Sequence, residues 1–136
     1  MTDYRTSGLS LKSHPVALLR GDLSKRGMVT AAELADEVRS PHGRRVSVAG
    51  VVLVRQRPGT ASGVVFVTME DETGVANLIL WPQTYDAFRP TARHAVLLQC
   101  DGYVQRQGQV VHVLARRLFD LSHLLKGYEQ RSRDFH

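Results

Sequence analysis

Hydrophobic and polar positions follow two different rules along this chain. Before about residue 43 the apolar residues recur at helical spacing, and from Val46 onward they crowd into short valine-rich runs. In SHPVALLRGDLSKRG (Ser13 to Gly27) the pattern predicts a short helix. Ser13 can cap it, Pro15 suits its first turn, and Gly27 can end it. TAAELADEVR (Thr30 to Arg39) predicts a second helix, with Thr30 and Glu33 at capping-box spacing. Leu34 and Val38 stand four apart, which gives that helix one apolar side. SPHGRR (Ser40 to Arg45) then breaks the chain with Pro41 and Gly43. Two amphipathic helices with no core of their own read as an arm that packs on something else.

The remainder predicts strands. VSVAGVVLVRQR (Val46 to Arg57) is the first, and Gly50 inside it marks a bend or bulge. PGTASG (Pro58 to Gly63) is a turn-rich loop. VVFVTMED (Val64 to Asp71) and VANLILW (Val75 to Trp81) are the second and third strands. PQTYDAFRP (Pro82 to Pro90) fits a short helix. HAVLLQCDGYVQRQ (His94 to Gln107) and QVVHVLARRLFDL (Gln109 to Leu121) are the fourth and fifth strands, joined by a tight turn at Gly108. The tail from Lys126 to His136 is polar and expected to fray. The chain therefore divides into an arm (1–43), a barrel (44–125) and a tail (126–136). Five strands with a helix between the third and fourth match an OB-fold, a mainly-β, partly open Greek-key barrel. Such barrels bind along strands 2 and 3, between the loops joining strands 1–2 and 4–5.

The segment MEDETG (Met69 to Gly74) holds three consecutive carboxylates, Glu70, Asp71 and Glu72. Such a cluster serves either a metal-dependent nuclease or a turn. It lies between two strands and ends in glycine, and the six histidines show no ligand spacing to one another. No phosphate-binding loop or nucleophile elbow is present. The turn reading follows, with no catalytic residue, metal or cofactor expected. Alternation puts Val65, Val67 and Met69 on one face of the second strand and Ala76, Leu78 and Leu80 on one face of the third. These apolar sets belong inside the barrel. Phe66, Thr68, Asn77, Ile79 and Trp81 then share the outer surface, where an aromatic ring beside amides suits unpaired bases. Phe66 is assigned to ligand contact, and Trp81, beside Pro82, to packing under the arm. Arg55 and Arg57 in one loop and Arg106 in the other are expected to grip phosphates and base edges.

Composition narrows the setting. At 43% hydrophobic and 23% charged residues the chain reads as globular, with no apolar run long enough to span a membrane. The start, MTDYRTSGLSLKSHP, lacks the apolar stretch of a secretory signal, so a cytoplasmic location is expected. Cys100 is the only cysteine, which excludes an internal disulfide and reads as a small buried hydrophobe. The net charge of +5 comes largely from arginine, whose fork suits phosphate.

Three strings, GLSLKSHPVALLR, VAGVVLVRQRPGTASGVVFVTMEDETGVANLILWP and GYVQRQGQVVHVLARRLFDLS, closely resemble the C-terminal region of bacterial error-prone DNA polymerases, relatives of the C-family alpha subunit. The resemblance runs from about Tyr4 to Leu125. FVTMEDETG alone is also similar to the anticodon-binding barrels of aminoacyl-tRNA synthetases. The polymerase resemblance implies an OB module that holds single-stranded template during damage-induced, mutagenic lesion bypass. It implies as partners the other translesion subunits, an inactive Y-family-like protein among them, and the sliding clamp. The palm with its catalytic aspartates has no counterpart here, so the chain is not expected to polymerise DNA alone, whether it is an expressed fragment or a truncated reading frame. The binding roles of Arg55, Arg57, Phe66, Thr68, Asn77, Ile79 and Arg106 come from barrel geometry, not from the family. Other readings remain: a barrel that docks a polymerase partner, a nuclease built on the three carboxylates, and RNA in place of DNA.

Overall fold

The computed structural model describes residues 14–58 and 62–126. The expected Ser13 cap, the tip of the first loop and the tail beyond Lys126 lie outside the described residues. The elements run α1 (Pro15–Lys25), α2 (Ala31–Ala35), β1 (Arg45–Gln56), β2 (Val65–Asp71), β3 (Gly74–Leu80), α3 (Pro82–Ala87), α4 (Arg89–His94), β4 (Leu97–Gln107) and β5 (Val110–Asp120). The strands close into a barrel in the order β1-β2-β3-β5-β4. All pairings are antiparallel except β3 with β5. This is the OB barrel that the strand pattern predicts.

Closure depends on β1, which serves two neighbours. Its first half, from Arg45 to Val51, pairs with β4, and its second half, from Val51 to Gln56, pairs with β2. The handover occurs around Gly50. A Cβ there would lie 2.9 Å from the carbonyl oxygen of Glu70, so only glycine allows the β2 backbone so close. A bulge between Val52 and Val54 then completes the bend.

The interior is filled by Val46, Val48, Val65, Val67, Met69, Leu78, Leu80, Leu98, Cys100, Val104 and Val113, all buried. The apolar faces read from alternation in strands 2 and 3 are the buried ones. Burial raises the Cys100 thiol pKa, as expected for a group that has left water. Leu34 of α2 and Ala92 of α4 complete this core.

The arm is not a separate layer. α1 packs Val16, Leu19 and Leu23 with Met28 on Ala49, Leu97 and Leu121, forming a second core outside the barrel wall. Its N-cap is His14, whose Nδ1 accepts the Val16 N–H at 3.1 Å. The His14 Nε2 lies 3.5 Å from Glu70 Oε1. The helix ends in a Schellman motif: Gly27 (φ 80°) donates to Ser24 and Met28 donates to Leu23. The second helix is shorter than its sequence pattern predicts. It stops at Ala35, so Val38 never joins the Leu34 face and is 88% exposed. The capping box does form, with Thr30 and Glu33 bonding reciprocally. The single helix expected between strands 3 and 4 is two, α3 and α4, divided at Phe88.

The acidic segment is a structural knot. Asp71, 3% exposed, accepts Thr73 and Gly74 N–H on Oδ1, which makes the β2–β3 turn. Its Oδ2 accepts the Ala31 N–H at 2.8 Å and Arg20 at 3.2 Å. Thr73 Oγ1 accepts the next N–H, Ala32, so the first turn of α2 is capped by the hairpin. Arg20 also forks onto both oxygens of Glu72. One carboxylate thus joins α1, α2 and the barrel. Asp71→Ala strands three buried or half-buried N–H groups and removes one of the two carboxylates that face Arg20. We expect a loss of about 3 kcal/mol in urea unfolding.

Burial is the largest single influence on Glu72 and opposes its ionisation, yet the Arg20 hydrogen bond, a backbone hydrogen bond and the Arg20 charge together outweigh it and lower its pKa. A lowered carboxylate pKa means the unfolded state binds more protons in acid. The Glu72 contribution is complete above its unfolded pKa, roughly 4.3, and is lost as pH falls through the folded value. The melting temperature is expected to fall on acidification below about pH 4, with a shallower fall in Glu72→Gln.

Candidate nucleic-acid interface

The outer surface of β2 and β3 is set by register. Phe66 stands opposite Ile79, and Thr68 opposite Asn77. Thr68 Oγ1 donates to Asn77 Oδ1 at 3.1 Å. β1 extends the row on one side, with Gln56 opposite Phe66 and Val54 opposite Thr68. β5 extends it on the other, with Leu114 beside Ile79. The Phe66 ring meets His112 of β5 at 6.3 Å between centroids, tilted by 55°. The result is a shallow apolar strip edged by amide, hydroxyl and imidazole groups, which can offer a ring face to a base and hydrogen bonds to its edge.

α1 lies on the β1–β4 side of the barrel, over Ala49 and Leu97, and leaves the Phe66 strip uncovered. Trp81 does not pack under α1 or α2. It is the N-cap residue of α3 and is 48% exposed, two residues beyond Ile79 on the same surface. The Pro82 that follows starts α3 and turns the chain away, which leaves the indole at the barrel rim.

The three loop arginines separate. Arg57 is exposed, with its guanidinium 4.5 Å from the Tyr85 ring centroid, beside the strip. Arg55 and Arg106 are each held by two backbone carbonyls. Arg55 donates through Nε to Ala92 O and through Nη2 to Ala95 O, at the C-terminal end of α4. Arg106 donates through Nε to Ser40 O at 2.8 Å and through Nη2 to Leu34 O at 2.7 Å, at the end of α2. Both cations sit where a helix leaves its last carbonyls unpaired and where its dipole is negative. The reason is alternation. Arg106 follows inward-facing Val104 by two residues. Arg55 pairs with inward-facing Val67, because the bulge at Val52/Val54 shifts the phase of β1.

The nuclease reading finds no support in the geometry. Among the described residues no cluster of His, Cys, Asp or Glu could hold a metal ion. Asp71 and Glu72 are engaged by Arg20, Thr73 and backbone N–H groups. Among the described residues no helix is long and apolar enough to cross a membrane.

Comparison with known proteins agrees with the OB barrel. Residues 46–121 match the family described as OB-fold nucleic acid binding domain. Error-prone DNA polymerase 3 of Agrobacterium fabrum is 47% identical over 133 residues, covering 98% of this chain and 12% of the polymerase. The error-prone DNA polymerase of Caulobacter vibrioides is 54% identical over 120 residues, covering 88% of this chain and 11% of that one. The chain thus spans about an eighth of these relatives. Among solved structures, asparaginyl-tRNA synthetase from Pyrococcus horikoshii superposes with a TM-score of 0.55 at 19% identity, over 69% of this chain and 22% of the synthetase. OBody AM1L10 bound to hen egg-white lysozyme gives 0.54 at 22% identity, over 69% of this chain and 90% of that one. These two likenesses are of fold.

The placement of the arginines separates binding from stability. Arg55→Ala and Arg106→Ala are each expected to cost roughly 1–3 kcal/mol in chemical denaturation. Arg57→Ala, at an exposed site, should stay within about 0.5 kcal/mol of the parent.

Proposed function

Because the chain belongs to the family of OB-fold nucleic acid binding domains, we propose that it binds single-stranded DNA across the outer surface of β2 and β3, holding template for an error-prone polymerase during lesion bypass. The observation that carries this reading is the aligned row of Gln56, Phe66, Ile79 and Leu114, left uncovered by α1 and bordered by Thr68 and Asn77. In the mechanism, a base stacks on Phe66 and lies over Ile79. Thr68 and Asn77 meet a neighbouring base or sugar edge, and Arg57 takes a phosphate at the rim. Nothing in this set reads one base over another, which suits a module that must accept damaged and undamaged template alike.

The chain resembles a small part of polymerases whose chemistry lies elsewhere, so it supports rather than performs synthesis. Other translesion subunits and the sliding clamp are proposed partners of the larger assembly. A second reading, docking of a protein partner, is favoured by the exposed apolar side chains Val54, Val75 and Trp81 around the same surface.

Fluorescence anisotropy with labelled oligothymidine tests the proposal. Phe66→Ala is expected to weaken binding by about 5- to 100-fold, the equivalent of one lost stack. Arg57→Ala should lower the slope of log affinity against log salt by about 0.7. Unchanged affinity in both variants, or no binding by the parent at low salt, overturns the single-strand reading in favour of protein docking.

A further inference from the structure

A second surface lies round the barrel from the Phe66 strip. Arg44, Arg45, Arg116 and Arg117 line a cleft of about 550 Å³ with Tyr103, where β1, β4 and β5 meet. Its far wall is Gly27 and Val29, the segment between α1 and α2, so the cleft begins where the cover of α1 ends. Asp101 is its only carboxylate. That carboxylate already accepts hydrogen bonds from Ser47 Oγ at 2.7 Å and Gln99 Nε2 at 3.0 Å, and stands 3.6 Å from Arg117. Among the described residues Arg44, Arg45 and Arg116 have no carboxylate within ion-pair distance. The cleft therefore carries an uncompensated positive charge, and the Arg116 guanidinium lies 5.7 Å from the Tyr103 ring centroid.

Register connects this cleft to the strip. Phe66 is opposite Ile79, Ile79 is beside Leu114, Leu114 is opposite Tyr103, and Tyr103 is opposite Arg45. One outward row thus crosses every strand from an aromatic ring to an aromatic ring and ends on arginine. At about 4.8 Å between neighbouring strands, Phe66 and Tyr103 are roughly 14 Å apart around the wall. That is a span of a few nucleotides.

We propose that bound single-stranded DNA continues past β3 over Leu114 into this cleft, where Arg44, Arg45, Arg116 and Arg117 hold its phosphates and Tyr103 stacks a base. The inference rests on the single-strand reading above and extends its footprint. A strand confined to β2 and β3 needs only the short end of the range known for OB barrels, whereas one that reaches the cleft uses more of it.

Oligothymidines of roughly 5 and 15 nucleotides, within the site sizes of such barrels, distinguish the two footprints. The variants are Arg44→Gln with Arg45→Gln, Arg116→Gln alone, Phe66→Ala, and Arg93→Gln on α4 as a charge control outside the cleft. The substituted arginines are exposed, and thermal melts verify that the fold is kept. The double variant is expected to leave 5-mer binding unchanged and to weaken the 15-mer about tenfold at low salt. Its salt slope for the 15-mer should fall by roughly 1.4, at 0.7 per lost phosphate contact. Arg116→Gln should act in the same direction, and Arg93→Gln should not. If Phe66→Ala weakens both oligomers but the double variant binds the 15-mer as the parent does, the strip stands and the cleft path is overturned. An Arg93→Gln loss equal to that of the double variant also overturns it, since the effect is then bulk charge. If the parent binds neither oligomer, the single-strand reading itself fails.

Discussion

A strand that must pair with two neighbours cannot be straight, and most of this molecule follows from how β1 meets that constraint. The handover at Gly50 lets β2 approach to contact distance, and the bulge at Val52/Val54 completes the turn of the wall. The same extra residue reverses which side chains face inward. Before it, Val46 and Val48 fill the barrel, and after it Arg55 occupies the inward phase while Val54 is turned out. A backbone solution to a closure problem thus decides which arginine is available to a ligand and which is spent on a helix end.

This is why the fold was more legible than the site. The strands were visible as valine-rich runs between turn residues, and Gly50 announced the bend. Alternation within β2 and β3 needed no tertiary information, so Phe66, Thr68, Asn77 and Ile79 could be set on one surface from the residues alone. The bulge could not be read, because VVLVRQR has the same alternating character in either phase. Arg106 was more accessible to reasoning: it follows the apolar Val104 by two, and alternation along β4 puts the two on one face. What remained hidden was the identity of its partners, the carbonyls at Leu34 and Ser40, more than 60 residues away in the chain. Trp81 misled because a tryptophan is usually buried, whereas here the start of α3 at Pro82 holds it at the rim.

The charge distribution has a similar lesson. A net charge of +5 suggested a diffuse attraction for polyanions, but the arginines divide by task. Arg20 neutralises the hairpin carboxylates, and Arg55 and Arg106 close helix ends. Arg57 remains at the strip, and Arg44, Arg45 and Arg116 gather on the other side of the wall. The acidic run, the segment most suggestive of chemistry, is engaged by Arg20 and by backbone N–H groups.

The knot at Asp71 makes the unit of inheritance larger than the unit of recognition. The family match begins at residue 46, at the first strand. Yet the turn that starts the third strand is completed by residues 20 and 31, and Ala49, Leu97 and Leu121 are covered by α1. A barrel transplanted without its leading helices would arrive with a bare apolar wall and would lose the Arg20 and Ala31 donors to Asp71 Oδ2. Recombination that moves such a cassette intact has to cut upstream of His14, so α1 travels with the barrel although it packs on the opposite side from the strip.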